Sequence, residues 1–403
     1  MIDIKDKTDC CGCWACAQVC PQQCISMAED DEGFRYPHAD PHDCIDCGLC
    51  EKVCPIINRV EEREFSQRAY LLQHKDEQVL KESTSGGAYT AIATYVIRQG
   101  GVVFGAAYDK DFRVVHKHVD KTDDLGAFRN SKYVQSYVGD AYREARDFLR
   151  SGRMVCFSGT PCQIEGLLHF LRKPYPNLLT VDVVCRAIAS PKVFSMYVDL
   201  KREELGSDVD NIKFRDKRPY GYKYSSMSVY RNGRQVYREG VESDVLLRSF
   251  FSNINVRPSC YHCRFKKRYR MSDFTIWECF DVYRFSRELD NDKGVTRLLA
   301  HSEKAVRLLS ELSSEAYIVE IDADAAVAGV KELKYSVKTN ERREAFFSGC
   351  GDRSIGGKVL YSFFPISFKT LLEKYIRVSL CRLGIYAPIK KLAKTVIKDV
   401  KRS

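Results

Sequence analysis

Cys10-Cys11-Gly12-Cys13-Trp14-Ala15-Cys16-Ala17-Gln18-Val19-Cys20-Pro21 and Cys44-Ile45-Asp46-Cys47-Gly48-Leu49-Cys50-Glu51-Lys52-Val53-Cys54-Pro55 share one spacing, C-x-x-C-x-x-C-x-x-x-C-P. Three thiolates on one tight loop cap three irons of a cubane, and the loop is too short to supply the fourth ligand. The fourth cysteine of each run sits on the helix that follows and reaches the other cluster. The spacing therefore assigns Cys10, Cys13, Cys16 and Cys54 to one 4Fe–4S cluster, and Cys20, Cys44, Cys47 and Cys50 to a second. Zinc is the competing reading, but zinc motifs offer four cysteines per site rather than a third at this interval.

The pattern is that of a bacterial two-cluster ferredoxin. Between the two runs, Cys24 to Met27 and Gly33 to Tyr36 read as strands joined by the acidic turn Glu29-Asp30-Asp31-Glu32. Cys11 and Cys24 fall outside the ligand spacing and read as non-ligands. Residues 56 to 68 are polar and charged, as a linker would be.

The chain has 403 residues, enough for two or three domains. Ten of its 18 cysteines lie before residue 55, which is a metal signature rather than a disulfide framework. No apolar run approaches the length of a membrane span, and the first residues lack a signal peptide's apolar core. The expected location is a reducing cytoplasm. The net charge is +10, and half of it lies from Lys390 to Ser403, where six basic residues stand against Asp399. The excess is local and no nucleic-acid motif accompanies it, so no nucleic-acid partner is expected.

Past the linker, Ala88, Ala91, Ile92, Tyr95 and Val96 mark one apolar helical face, stopped at Gly100-Gly101 and followed by a buried strand from Val102. The entry to that helix, Ser83-Thr84-Ser85-Gly86-Gly87, leaves backbone N–H groups at a positive helix end, suited to a phosphate or a flavin pyrophosphate; such residues also simply cap helices. Arg129 to Ser136 is a polar stretch ahead of a helix from Ala141 to Arg150, and its Lys132 reads as a solvated lysine or a contact to an anionic cofactor.

Met154 to Phe157 reads as a buried strand. Thr160 is a natural N-cap, Pro161 suits the first helical position and Gln163 completes a capping box. Cys162 then sits in the first turn, where the helix dipole favours thiolate. A second strand, Leu178 to Val184, leads to Cys185, and Ser190-Pro191 opens another helix. This β-α-β-α order predicts parallel strands, with Cys162 and Cys185 facing one crevice at their carboxyl ends. Arg257-Pro258-Ser259-Cys260-Tyr261-His262-Cys263 adds a C-x-x-C loop. Four sulfurs suffice for a third 4Fe–4S cluster, for zinc, or for a site where Cys162 acts alone as a nucleophile. Cys156, Cys279, Cys350 and Cys381 read as buried inert thiols. In the tail, Leu392, Val396 and Val400 form an apolar stripe among lysines, read as a solvated or partner-packed helix or as a peripheral membrane contact.

Six stretches in order resemble the coenzyme F-420 hydrogenase/dehydrogenase β-subunit family: Ser83 to Gly87, Ser131 to Ser136, Gly159 to Gln163, Val184-Cys185, Phe214 to Lys217, and Arg257 to Cys263. The resemblance implies FAD near Ser85, Gly86, Gly87, Ser131, Lys132 and Tyr133. It also implies a further cluster on Cys162, Cys185, Cys260 and Cys263. The chain departs from the family pattern at Arg186 to Ser190, and at Ile276 to Asp281, where the family resembles I-G-D-F-W-G. Deazaflavin specificity is therefore not carried over.

The expected fold class is mixed α+β and α/β. A ferredoxin module (1–58) precedes a larger mixed α/β flavin domain (68–330) and a helical, basic C-terminal region (335–403). The expected function is that of an iron–sulfur flavoprotein oxidoreductase. It would pass electrons between an organic, deazaflavin-like or glycan-pathway substrate and the clusters, with a redox partner protein or small carrier. The alternative is a non-catalytic electron-transfer subunit wiring a partner enzyme, in polysaccharide biosynthesis for example.

Overall fold

The computed structural model describes residues 1–351, 355–386 and 388–390. In the N-terminal segment, helices Ala15–Val19 and Leu49–Lys52 follow the two cysteine loops. Strands β1 (Ile25–Glu29) and β2 (Arg35–Ala39) pair antiparallel between them. The turn is held by Asp30, whose side chain accepts from the Phe34 amide at 2.8 Å.

The two cysteine loops follow the same backbone path. Gly12 and Trp14 in the first, and Asp46 and Gly48 in the second, all have φ between 51° and 70°. That left-handed region disfavours residues with a Cβ. Each loop spends its single glycine at a different one of the two equivalent positions, and a larger residue takes the other. At Gly12 no larger residue fits, because a Cβ there would lie 2.2 Å from Gln135 Nε2.

The larger part of the chain contributes β3 (Arg68–His74), β4 (Val102–Tyr108), β5 (Val114–Val119), β6 (Val155–Gly159), β7 (Leu178–Val183), β8 (Val209–Asp216), β9 (Ser226–Arg231), β10 (Arg234–Glu239), β11 (Phe274–Glu278), β12 (Thr296–Ala300) and β13 (Ala316–Ile321). Eight of these form one mixed sheet in the order β13-β3-β12-β11-β7-β6-β4-β5. Its centre, β11-β7-β6-β4, is parallel. The flanking pairs are antiparallel. A second, antiparallel sheet runs β10-β9-β8, and Asn232 in the β9–β10 turn has a left-handed φ of 51°. The expected parallel β6-helix-β7 unit is present, and Thr160 and Gln163 form the expected capping box at the start of helix Pro161–Leu171.

Apolar packing joins the N-terminal segment to this sheet. Trp14, Ala15, Val53 and Ile56 share one buried cluster with Phe104, Phe157 and Leu167. At the other end, Phe346 and Leu360 are buried with Phe194, Tyr197 and Met227. Cys156, Cys279 and Cys350 are buried as expected; Cys381 is half-exposed, because its helix, Phe368–Arg382, has no buried residue. Among the described residues no helix is long and apolar enough to cross a membrane. The apolar stripe Leu392, Val396 and Val400 and the basic tail from Lys391 onward lie outside the described residues.

Candidate iron–sulfur centres

Cys10, Cys13, Cys16 and Cys54 line a cavity of about 330 Å³, walled by Ile2, Ile4, Met27 and Ile56. Cys20, Cys44, Cys47 and Cys50 line a second, of about 350 Å³. Cys20 and Cys54, the last cysteine of each run, thus each stand in the cavity formed by the other run's loop. Among the described residues, no three His, Cys, Asp or Glu side chains converge as ligands to a single metal ion. Four soft thiols around a larger void are the donor set of an iron–sulfur cluster, and the residues fit that group. The first cavity is buried, whereas Cys47 at the second is exposed. The Ile2 amide donates to Cys50 Sγ at 3.3 Å, a bond of the kind that tunes cluster potential.

Cys11 and Cys24 also stand at these cavities. Cys24 Sγ lies 3.4 Å from Cys20 Sγ. Cys11 is hydrogen-bonded to both Cys13 and Cys162, which raises its own pKa and lowers theirs. It therefore stays a thiol and donates to two thiolates, one in the first cavity and one in the large domain. The side chain of Cys13 packs on the helix bearing Cys162, where a Cβ at Gly166 would lie 2.8 Å from Cys13 Cβ.

Cys162, Cys185, Cys260 and Cys263 form a third group. Cys162 opens helix Pro161–Leu171, Cys185 follows β7, and Cys260 and Cys263 flank a short 3-10 turn. Cys185 feels the charge of the other three, and burial pushes Cys185 and Cys263 up and Cys260 to about 12. Such thiols ionise only against positive charge. Cations surround them: Lys266 and Arg270 act on Cys263, and Arg257 on Cys162 and Cys260. The Lys266 ammonium donates to the Cys185 carbonyl at 2.5 Å. Behind this ring, Lys267–Glu165 and Arg270–Asp182 are buried ion pairs, each at 2.8 Å. The four sulfurs also fit an iron–sulfur cluster.

Arg257 binds the N-terminal segment to this group. It is fully buried and donates to the Cys10 carbonyl (2.8 Å), Gln135 Oε1 (2.9 Å) and the Arg35 carbonyl (3.0 Å). Its guanidinium lies 4.2 Å from the Tyr36 ring centroid. The start of the Cys162 helix is fixed by a second chain of bonds. Gln163 donates to Ser136 Oγ (2.9 Å), Ser136 bonds His116 Nδ1 (2.9 Å), and His116 Nε2 bonds the Ser158 carbonyl (3.0 Å). A carbonyl cannot donate, so Nε2 carries the proton and Nδ1 accepts from Ser136.

The residues implied for flavin form a seam beside this group. Gly87 caps helix Ala88–Arg98 with φ 78°. Ser131 donates its amide to Thr84 Oγ1 at 2.7 Å, tying the two stretches together. Ser85 Oγ and the Gly86 amide meet Thr296 Oγ1, at 2.8 and 2.9 Å. Tyr133 stacks on Phe250 with ring centroids 5.0 Å apart, and its hydroxyl accepts from Arg215, which also binds Glu278. Its carbonyl accepts from Ala189, four residues past Cys185. Lys132 donates to the carbonyls of Ala127, Arg129 and Asn130, each at 3.2 Å. Burial brings it down to about 7, and Lys117 and Lys213 lower it further. Burial brings Lys217 to about 7 as well, and its ammonium donates to the Ser85 carbonyl at 2.6 Å. Arg129 Nε and Glu278 Oε1 are buried with no hydrogen-bond partner. Depressed lysines beside orphaned polar atoms fit an anionic group such as a flavin pyrophosphate.

Sequence reasoning did not find Cys11, Arg257 as a buried tie, or Thr84 and Thr296 at the seam. The Cys10-Cys11 doublet was the one signal available for Cys11; the threonines gave none.

Cysteine cavities stacked on a mixed α/β body define an iron–sulfur protein of the electron-transfer class. Residues 9–56 match the 4Fe–4S dicluster domain, and residues 152–326 match the C terminus of the coenzyme F-420 hydrogenase/dehydrogenase beta subunit. The chain therefore joins a dicluster ferredoxin segment to a domain of that β-subunit family. Among solved structures, a chain of the F-420-reducing NiFe hydrogenase complex from Methanosarcina barkeri is similar. It is 14% identical, with a TM-score of 0.45, over 64% of this chain and 84% of that one. No curated protein matches the chain.

Proposed function

We propose that this chain is an iron–sulfur flavoprotein oxidoreductase. Electrons pass between an organic substrate at the Ser85–Tyr133 seam and a redox partner or small carrier at the exposed Cys47. The observation that carries this reading is the sulfur line from the Cys162 group through Cys11 to Cys13, and on to the cavity where Cys47 is exposed. Cys10, Cys13, Cys16 and Cys54 hold one 4Fe–4S cluster. Cys20, Cys44, Cys47 and Cys50 hold the second, and Cys162, Cys185, Cys260 and Cys263 a third. FAD held by Ser85, Gly86, Gly87, Ser131, Lys132 and Tyr133 supplies hydride exchange with an organic substrate and single-electron exchange with clusters. Lys132 and Lys217 balance the anionic charge bound at the seam. Arg257, Lys266 and Arg270 favour the more negative, reduced state of the third centre. The apolar walls and the ion pairs behind that centre keep water from it. The substrate is a deazaflavin-like compound or an intermediate of a glycan pathway.

A second reading is favoured by one observation. Thr296 and Thr84 occupy the polar groups of Ser85, Gly86 and Ser131, and ion pairs Arg215–Glu278 and Arg297–Asp281 fill the segment where the chain departs from its family. In that reading the large domain binds no flavin, and the chain wires a partner enzyme, in polysaccharide biosynthesis for example.

Anaerobic purification with iron, sulfide and flavin measured on one sample separates the two. The first reading expects about twelve irons and one flavin per chain. Absence of flavin at full iron content overturns it in favour of the relay. Cys260→Ser with Cys263→Ser is expected to lower bound iron by about four atoms. Unchanged iron in that variant overturns the third cluster.

A further inference from the structure

The C-terminal helix Phe368–Arg382 is turned inside out. An ordinary surface helix buries its apolar stripe and offers its charges to water. Here the polar side faces the protein: Lys374 pairs with Glu239 at 2.6 Å, and Arg377 lies 3.5 Å from Glu242 and pairs with Glu373. The opposite side is apolar and bare. Phe368 is 81% exposed, Tyr375 64%, and Leu371, Leu372 and Ile376 are exposed with them. These fall at i, i+3, i+4, i+7 and i+8, one continuous helical stripe. Leu383, one residue past the helix, is 70% exposed and extends it. A contiguous apolar surface of this kind marks an interaction site.

The charges beside the stripe say what covers it. Lys369 and Arg382 are exposed along its edges, and the nearest acid, Glu373, is turned away and paired with Arg377. Beyond Lys390 the sequence adds five basic residues against Asp399 alone. A second copy of this chain would bring the same cations face to face across a two-fold contact, at an electrostatic cost. An anionic lipid surface is complementary in both respects. It takes the aromatic and aliphatic side chains into the acyl boundary and neutralises the flanking cations. Stable peripheral binding takes two signals, an apolar one and a polybasic one, and both are present.

We propose that helix Phe368–Arg382 lies on an anionic phospholipid membrane, holding this chain at the bilayer surface without crossing it. The inference stands on the C-terminal surface alone and is independent of the redox reading. The test is co-sedimentation of the full, cluster-loaded chain with phosphatidylcholine vesicles, with and without phosphatidylglycerol. Binding is expected only to the phosphatidylglycerol vesicles, weakening as salt is added. Phe368→Ser with Tyr375→Ser removes no buried contact and is expected to weaken binding by at least about tenfold. Unchanged iron content and circular dichroism establish that this variant is folded. Absence of binding to phosphatidylglycerol vesicles overturns the proposal, as does a folded variant that binds as tightly as the parent. If the parent sediments as a dimer, ignores vesicles, and the variant is a monomer, the face belongs to a second copy and the membrane proposal falls.

Discussion

The cysteine loops at residues 10–55 and the seam from Ser85 to Tyr133 gather polar groups in opposite ways. Each loop carries its first three thiols within seven residues, on a backbone path it repeats through Gly12 and Trp14 or Asp46 and Gly48. The seam draws its contacts from far apart in sequence: Ser131 binds Thr84, Ser85 binds Thr296, and Lys217 binds the Ser85 carbonyl. A site built from local geometry is fixed by spacing and tolerates change around it. A site built from distant strands depends on the whole sheet.

The largest expected effect tests that separation. Cys16→Ser is expected to remove one N-terminal cluster, about four irons, and to leave the rest of the chain folded with any flavin still bound. Loss of flavin in this variant, measured by absorbance after denaturation, breaks the comparison by showing that the loops hold the seam together.

Arg257→Met attacks the tie between the two regions. It leaves buried acceptors at the Cys10 carbonyl, Gln135 and the Arg35 carbonyl without their donor. The expected cost is on the order of 3 kcal/mol in denaturant unfolding. A lysine cannot reproduce the three-way fork, so Arg257→Lys is expected to recover little. Full recovery by lysine would reduce the tie to simple charge.

The smallest effect concerns the base of the Cys162 helix. Burial lowers His116 to about 4, so the folded protein keeps it neutral while the unfolded chain protonates near 6.5. Its stabilisation is complete above about pH 6.5 and is lost as pH falls through about 4. Between those values the loss is roughly 3 kcal/mol. His116→Gln is expected to be less stable at pH 7 and to show a shallower acid decline in urea unfolding. An unchanged slope would sharpen the comparison by removing His116 from it.

The same contrast explains what was legible in the sequence. Cysteine spacing announced the two N-terminal cavities, and Thr160, Pro161 and Gln163 announced the helix under Cys162, because both are short-range requirements. Strands β3, β5 and β11 were not read. The run Arg68 to His74 is buried almost throughout and pairs only with strands more than 200 residues later. Cys11 looked idle because its second neighbour, Cys162, is 150 residues away. Arg257 stood in a recognised stretch, but nothing local shows that its guanidinium is fully enclosed. The exposed side of Phe368–Arg382 was also missed, since an amphipathic pattern does not say which side faces inward.

Arg257 also sets an order of events at the ribosome. Cys54 completes the N-terminal ligand sets, but the arginine that closes over Cys10 is made about 200 residues later, a delay of roughly 10–40 s at 5–20 residues per second. Strand β3 waits longer still, for β12 and β13. Through that interval the first cysteines stand open to whatever delivers iron and sulfide. A chain that completes its sheet first would seal Cys10, Cys13 and Cys16 behind Arg257 with nothing between them. Iron supply during synthesis, rather than after it, then decides how much of the protein matures.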